Sequence, residues 1–210
     1  MKVVAFGGLA TAGKTTAANL MANLIYEREL GIPRLRSFAG PLKEAAKTLG
    51  ASKEGKPDLY RKFCQKVGTE MMRNPEFVPG VTGEDYWVNL INDMMQENQD
   101  FEFESSDKET IMIFDDVRFE NEIELIRRWG GIMIFVDATA RGVLVESGED
   151  NWKAHESEMV AIKSTLDAEY RRKHFDEVLS ASTMESMTNR INLRTPFWIK
   201  RTVSHDDSID

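Results

Sequence analysis

Val3-Val4-Ala5-Phe6-Gly7-Gly8-Leu9-Ala10-Thr11-Ala12-Gly13-Lys14-Thr15-Thr16 opens as a short apolar run and becomes G-x-x-x-x-G-K-T between Gly8 and Thr15. The run suits a buried strand. A helical pattern follows at once, with Ala17, Leu20, Met21, Leu24 and Ile25 on one face. Strand, glycine-containing loop and helix, in that order, are the context that a phosphate-binding P-loop requires. Gly8 and Gly13 permit backbone angles and a close approach that a Cβ would obstruct. The amides of the loop, with Ala12, Gly13 and Thr16 among their bearers, make with the helix N-terminus a nest for polyphosphate oxygens. Lys14 is placed to reach the β- and γ-phosphates, and the Thr15 hydroxyl to ligate Mg²⁺. The stretch predicts a site for ATP with Mg²⁺.

At 210 residues the chain is long enough for one domain with a large core. A formal net charge of -8 argues against non-specific nucleic-acid binding, which needs a basic face. The one cysteine, Cys64, excludes an internal disulfide framework and suits a reducing compartment. No charged-then-apolar leader precedes the first strand, and no apolar run approaches about 18 residues. The chain reads as cytosolic, without a membrane or nucleic-acid partner.

Downstream, Gly31 and Pro33 end the first helix, and Arg34 to Phe38 is expected to form a second strand. Helices are expected over Leu42–Leu49, Asp58–Arg73 and Glu84–Met95, with Cys64 on a buried helix face. Gln96 to Lys108 is acidic and polar and reads as a surface connection. Ile111-Met112-Ile113-Phe114 is a continuous apolar run, the signature of a parallel strand buried on both faces. The next helix is expected to bury Phe119, Ile123 and Ile126 and to stop at Gly130-Gly131, before a strand over Ile132–Val136. Residues Thr139 to Ala154 lack periodicity and suit a flap. A helical segment to Lys173, a strand at Glu177–Leu179 and a helix over Thr183–Leu193 complete the pattern. The tail from Arg194 either packs back on the domain or meets a partner. Apolar strands alternating with helices predict an α/β fold with a parallel sheet.

Two acids, Asp115 and Asp116, stand where the Ile111–Phe114 strand ends. An acid there can lie beside the P-loop and hold Mg²⁺, and the spacing alone does not choose between them. Arginines recur on the helical segments: Arg61 and Arg73, then Arg118, then Arg141 at the start of the flap. Guanidinium groups bind phosphate bidentately and follow charge as it spreads in a phosphoryl-transfer transition state. Phe38, Tyr86 and Trp87 could stack on a base, although such aromatics are more often core. His155, His174 and His205 do not have zinc-ligand spacing.

Phe38-Ala39-Gly40-Pro41-Leu42-Lys43, Arg61-x-x-x-Gln65-x-x-Gly68-Thr69-Glu70-x-x-Arg73 and Tyr86-Trp87-Val88 together resemble the deoxynucleoside monophosphate kinases of bacteriophages. So do Asp116-Val117-Arg118-Phe119-x-Asn121-Glu122 and His155-x-Ser157-Glu158. With the P-loop, the resemblance runs from Met1 to about Met187. It implies an adenylate-kinase-like P-loop NTPase fold, a three-layer α/β/α arrangement with a five-stranded parallel sheet. On that pattern, one domain divides into a CORE (1–38, 108–138 and 160–193), a helical NMP-binding region (39–95) and a LID (139–158), with a tail over 194–210.

The resemblance further implies transfer of the γ-phosphate of ATP, with Mg²⁺, to a (deoxy)nucleoside monophosphate. Gly8, Ala12, Gly13, Lys14, Thr15 and Thr16 would hold ATP, and Thr15 with Asp116 the metal. Matching the family pattern tips the choice of acid toward Asp116. Phe38, Lys43, Arg61, Gln65, Thr69, Arg73, Trp87 and Arg118 would line the monophosphate site. Lys14, Asp116, Arg118 and Arg141 would act on the transferring phosphoryl group. The protein would work in the host cytoplasm if viral, as a monomer or homodimer. Two other expectations compete: another small-molecule P-loop kinase, such as one acting on dephospho-coenzyme A, and a regulatory P-loop ATPase.

Overall fold

In the computed structural model the described residues are 1–52, 55–105, 108–143 and 156–202; the side chains of 57 and 100–105 are outside the description. Five strands form one sheet in the order β2-β3-β1-β4-β5, all paired in parallel. The central strands β1 (Lys2–Gly7), β3 (Thr110–Val117) and β4 (Ile132–Asp137) are the uninterrupted apolar runs of the sequence. Being covered on both faces, they have no polar side to alternate with. β2 (Ile32–Arg36) and β5 (Glu177–Ser180) close the two edges. Such a sheet, with the G-x-x-x-x-G-K-T loop leading from β1 into a helix, is the P-loop NTPase α/β fold that the sequence predicts.

The chain divides into two compact units. The first, Met1–Arg36 with Asn98–Asp210, contains the sheet. On one face, α1 (Lys14–Glu27) and α8 (Met184–Arg201) bury Met21, Ile25, Ile191 and Trp198 with Phe6 and Ile113. The Trp198 ring meets Phe6 edge-on at 6.3 Å. Fully burying each such side chain contributes about 1.5–3 kcal/mol. Elsewhere in this unit, α5 (Glu120–Arg128) buries Ile123 and Ile126, and Phe135 meets Phe175 at 5.1 Å. α6 (Met159–Leu166) and α7 (Ala168–His174) stand where one helix to Lys173 was expected. Asp167 separates them and caps α7 by accepting from the amides of Glu169 and Tyr170.

The second unit, Ser37–Glu97, holds α2 (Gly40–Thr48), α3 (Pro57–Gln65), a π-helical turn (Lys66–Met71) and the first part of α4 (Tyr86–Ser105). The π turn corrects the expectation of an unbroken helix to Arg73. The Gly68 carbonyl accepts the indole N–H of Trp87 at 2.8 Å, and the Met72 amide bonds instead to Val67, five residues back, at 3.0 Å. A Cβ at 68 would lie 2.5 Å from Cδ2 of Leu42, so a larger residue there would require that side chain to shift. Cys64, expected on a buried face, is only half-buried.

Three further expectations are corrected. The second strand begins two residues earlier than Arg34 and ends at Arg36, because its pairing with β3 runs from Ile32 opposite Thr110 to Arg36 opposite Phe114. Gln96 onward is helix through Ser105 rather than a connection. The segment contains no glycine or proline, and Gln and Glu sustain a helix even when polar. The last helix continues to Arg201 across Pro196. Proline removes the donor that the Asn192 carbonyl would otherwise receive. The Arg28 guanidinium lies 3.5 Å from that oxygen instead. Burial of Trp198 and Ile199 holds the last turn on the core, so the tail up to Thr202 packs back on its own domain. Phe119 is the partly exposed N-cap of α5 rather than part of its buried face. Among the described residues no helix is long and apolar enough to cross a membrane.

Candidate active site

The loop after β1 follows the geometry its glycines allow. Gly8 has φ 137°, and a Cβ there would stand 2.6 Å from the Val136 carbonyl oxygen. Gly13, at φ 89°, precedes α1, whose first turn contains no acidic residue. The helix N-terminus therefore presents its amides with no side chain of α1 opposing an anion. Lys14 curls over its own loop, its Nζ donating to the carbonyls of Gly8 and Leu9 at 2.8 Å each. Burial, and next the neighbouring Arg118 cation, lower the Lys14 ammonium from its ordinary 10.5 to about 8. Among the described residues its hydrogen-bond partners are these two carbonyls, with Glu158, Asp116 and Asp115 favouring its charge from nearby, and polyphosphate oxygens would add direct anionic partners.

The Thr15 hydroxyl donates to Oδ2 of Asp115 at 2.7 Å. The pairing of β3 with β1 shifts register just here, with Phe114 opposite Ala5 but Val117 opposite Gly7, so the two acids lie in an irregular end of the strand. Asp115 is half-buried and Asp116 is 6% exposed. The geometry joins Asp115 to the threonine of the P-loop. A hydroxyl and a carboxylate in contact are the hard oxygen donors that Mg²⁺ takes, with substrate phosphates and water completing its shell. Among the described residues, no group of three or more His, Cys, Asp and Glu could hold a metal by itself. The donor set fits Mg²⁺ brought with a nucleotide.

Arg118 follows β3 directly. Its amide, and that of Phe119, donate to Oε2 of Glu122 at 2.7 and 3.2 Å. Glu122 is the third residue of α5 and 3% exposed, so it caps the helix and pins the turn carrying Arg118. The acid three residues after a helix N-cap was a legible signal of this role, but reading the sequence for catalytic groups missed it. The Arg118 guanidinium pairs with the Glu158 carboxylate. The Arg141 guanidinium donates to the carbonyl of Ala12 in the loop. Of the flap expected over Thr139–Ala154, Thr139–Arg141 forms a single 3₁₀ turn. Residues 144–155, with His155, lie outside the described residues, as do 203–210 of the tail.

The residues expected at a monophosphate site belong to the second unit, Arg118 apart. Lys43 donates to the Ser37 hydroxyl. Arg73 is 9% exposed and its Nη1 donates to the Glu84 carbonyl at 2.7 Å. Phe38 and Trp87 are buried, at 2% and 8%, whereas Arg61 is exposed and Gln65 and Thr69 are half-buried. Tyr86 packs edge-on against Trp87, with ring centroids 4.9 Å apart.

Sheet order and loop together are those of the P-loop NTPase α/β fold. No protein-family model matches it. The chain resembles a protein of Acanthamoeba polyphaga mimivirus named "Putative deoxynucleotide monophosphate kinase", with 28% identity over 158 residues, 65% of this chain and 74% of that protein. A solved shikimate kinase from Acinetobacter baumannii, in complex with shikimate, aligns with a TM-score of 0.42 and 11% identity, covering 100% of this chain and 96% of that one.

Proposed function

We propose that this protein transfers the γ-phosphoryl group of ATP to a (deoxy)nucleoside monophosphate, yielding the diphosphate and ADP. The observation that carries the reading is the contact of Thr15 with Asp115 beside a P-loop whose Lys14 is buried over the loop carbonyls. The named mimivirus relative and the Arg61-to-Arg73 pattern point to a monophosphate as the acceptor. Gly8, Ala12, Gly13, Lys14, Thr15 and Thr16 bind the triphosphate. Thr15 and Asp115 hold Mg²⁺, which supplies charge neutralisation on the phosphate oxygens. Lys43, Arg61, Gln65, Thr69 and Arg73 bind the acceptor.

The acceptor phosphate is already anionic near neutral pH, so attack needs no strong general base. What remains is alignment and charge stabilisation by Lys14, Arg118 and Arg141, with Asp116 shaping the local field.

The test is ADP release with Mg-ATP and each common NMP and dNMP in turn. Release dependent on one or a few monophosphates, with the matching diphosphate formed, supports the kinase and identifies its acceptor. Slow release indifferent to every monophosphate sinks it and favours a regulatory ATPase.

A further inference from the structure

Glu158 comes from a short 3₁₀ turn just before α6, 148 residues after the loop residue it touches. Its Oε2 accepts the backbone N–H of Ala10, the third residue of the P-loop motif, at 3.0 Å. Its Oε1 pairs with Nη1 of Arg118. The side chain is only 16% exposed. Of the carboxylates that favour the charged form of Lys14, Glu158 has the largest effect, ahead of Asp116 and Asp115. One carboxylate thus engages a loop amide and an arginine and lies in the field of the loop lysine. Phosphate oxygens seek the same three partners.

We propose that the Glu158 carboxylate is an internal surrogate for phosphate, filling the anion position between the Ala10 amide and Arg118 until a polyphosphate displaces it. This rests on the reading of the loop as a polyphosphate site. Two like charges cannot share the position at close range, so ligand entry and the Glu158 contact exclude each other. Displacement frees the segment that begins α6 and releases Arg118 to the incoming phosphate. Glu158 is therefore a positioning residue that competes with the ligand and parks the arginine.

The experiment is calorimetric titration of the full chain with inorganic tripolyphosphate. It compares the wild type with Glu158→Gln, Glu158→Ala and Glu156→Gln, the last an exposed carboxylate two residues away. Apparent affinity scales with the fraction of molecules whose site is open. If Glu158 fills the position about nine-tenths of the time, both Glu158 variants bind about tenfold tighter. Glu156→Gln stays within about twofold, because an exposed charge is screened. A merely structural Glu158 would instead lose affinity together with thermal stability. Equal or weaker binding by both Glu158 variants overturns the proposal while leaving the phosphate site intact. Failure of the wild type and both variants to bind overturns the phosphate-site reading and the proposal with it. Amide exchange on the wild type gives a readout that needs no variant. Residues 156–166 should lose protection when tripolyphosphate binds, and gained or unchanged protection there counts against displacement.

Discussion

Thr15, the second residue of α1, donates its hydroxyl proton to Asp115 at 2.7 Å, although the family pattern points to Asp116. The two acids differ in setting, Asp115 being half-buried and in contact with the loop threonine and Asp116 being 6% exposed, so they are not interchangeable. Asp115→Asn should raise the Mg²⁺ concentration for half-maximal activity by about tenfold or more, in line with the loss of one metal-site partner. Asp116→Asn should change that requirement much less and act mainly on turnover. A magnesium titration of each variant decides the matter, and the reverse ranking would restore Asp116 as the metal acid.

Lys14→Ala should reduce turnover by about a hundredfold or more, the scale of losing one preorganised group at the transferring phosphoryl. Steady-state kinetics under saturating Mg-ATP would measure it. Near-wild-type turnover would remove the P-loop from the reaction.

The lowered Lys14 ammonium also carries a pH signature. In the free protein it loses its proton as pH rises through about 8. Bound polyphosphate favours the charged form, so binding above that pH takes up a proton and ATP affinity falls, by up to about tenfold per pH unit. Calorimetry in buffers of different ionisation enthalpy detects the uptake, and Lys14→Arg should abolish it, since a guanidinium does not titrate there. For stability the sign is opposite. The unfolded lysine binds more protons between pH 8 and 10.5, so the cost of burying the cation is relieved as pH rises through that window.

Arg73 is buried and tied to the Glu84 carbonyl, yet it is also the last arginine of the monophosphate pattern. Arg73→Ala should raise KM for the monophosphate by about tenfold, at about 1.4 kcal/mol per decade, and leave KM for ATP within about twofold. Melting should also fall, because a backbone acceptor loses its donor. Equal increases in both KM values would count against separate binding sites.

Trp198 is 1% exposed near the end of a helix that the sequence reading stops at Leu193. Trp198→Ala should destabilise the protein by about 3–5 kcal/mol, as large-to-small changes in a core do. Denaturant unfolding would measure this. A loss under about 1 kcal/mol would mean the tail contributes little to the fold.

What was legible in the sequence was what local chemistry dictates. The Gly8-to-Thr15 spacing prescribes a loop, the unbroken apolar runs at Val3–Phe6, Ile111–Phe114 and Ile132–Val136 prescribe doubly buried strands, and Asp116-to-Glu122 marks a capped turn carrying an arginine. Tertiary structure alone decided the rest. Trp87 takes the Gly68 carbonyl and widens a helix into a π turn, while Arg28 and a buried Trp198 carry α8 through a proline. Which acid meets Thr15 depends on how the irregular end of β3 lies beside the loop, and Glu158 reaches Ala10 only because folding closes 148 residues of chain. Periodicity and spacing encode the angles and burial of neighbouring residues. Contacts between distant ones depend on how the elements pack, and no local pattern in the chain records that.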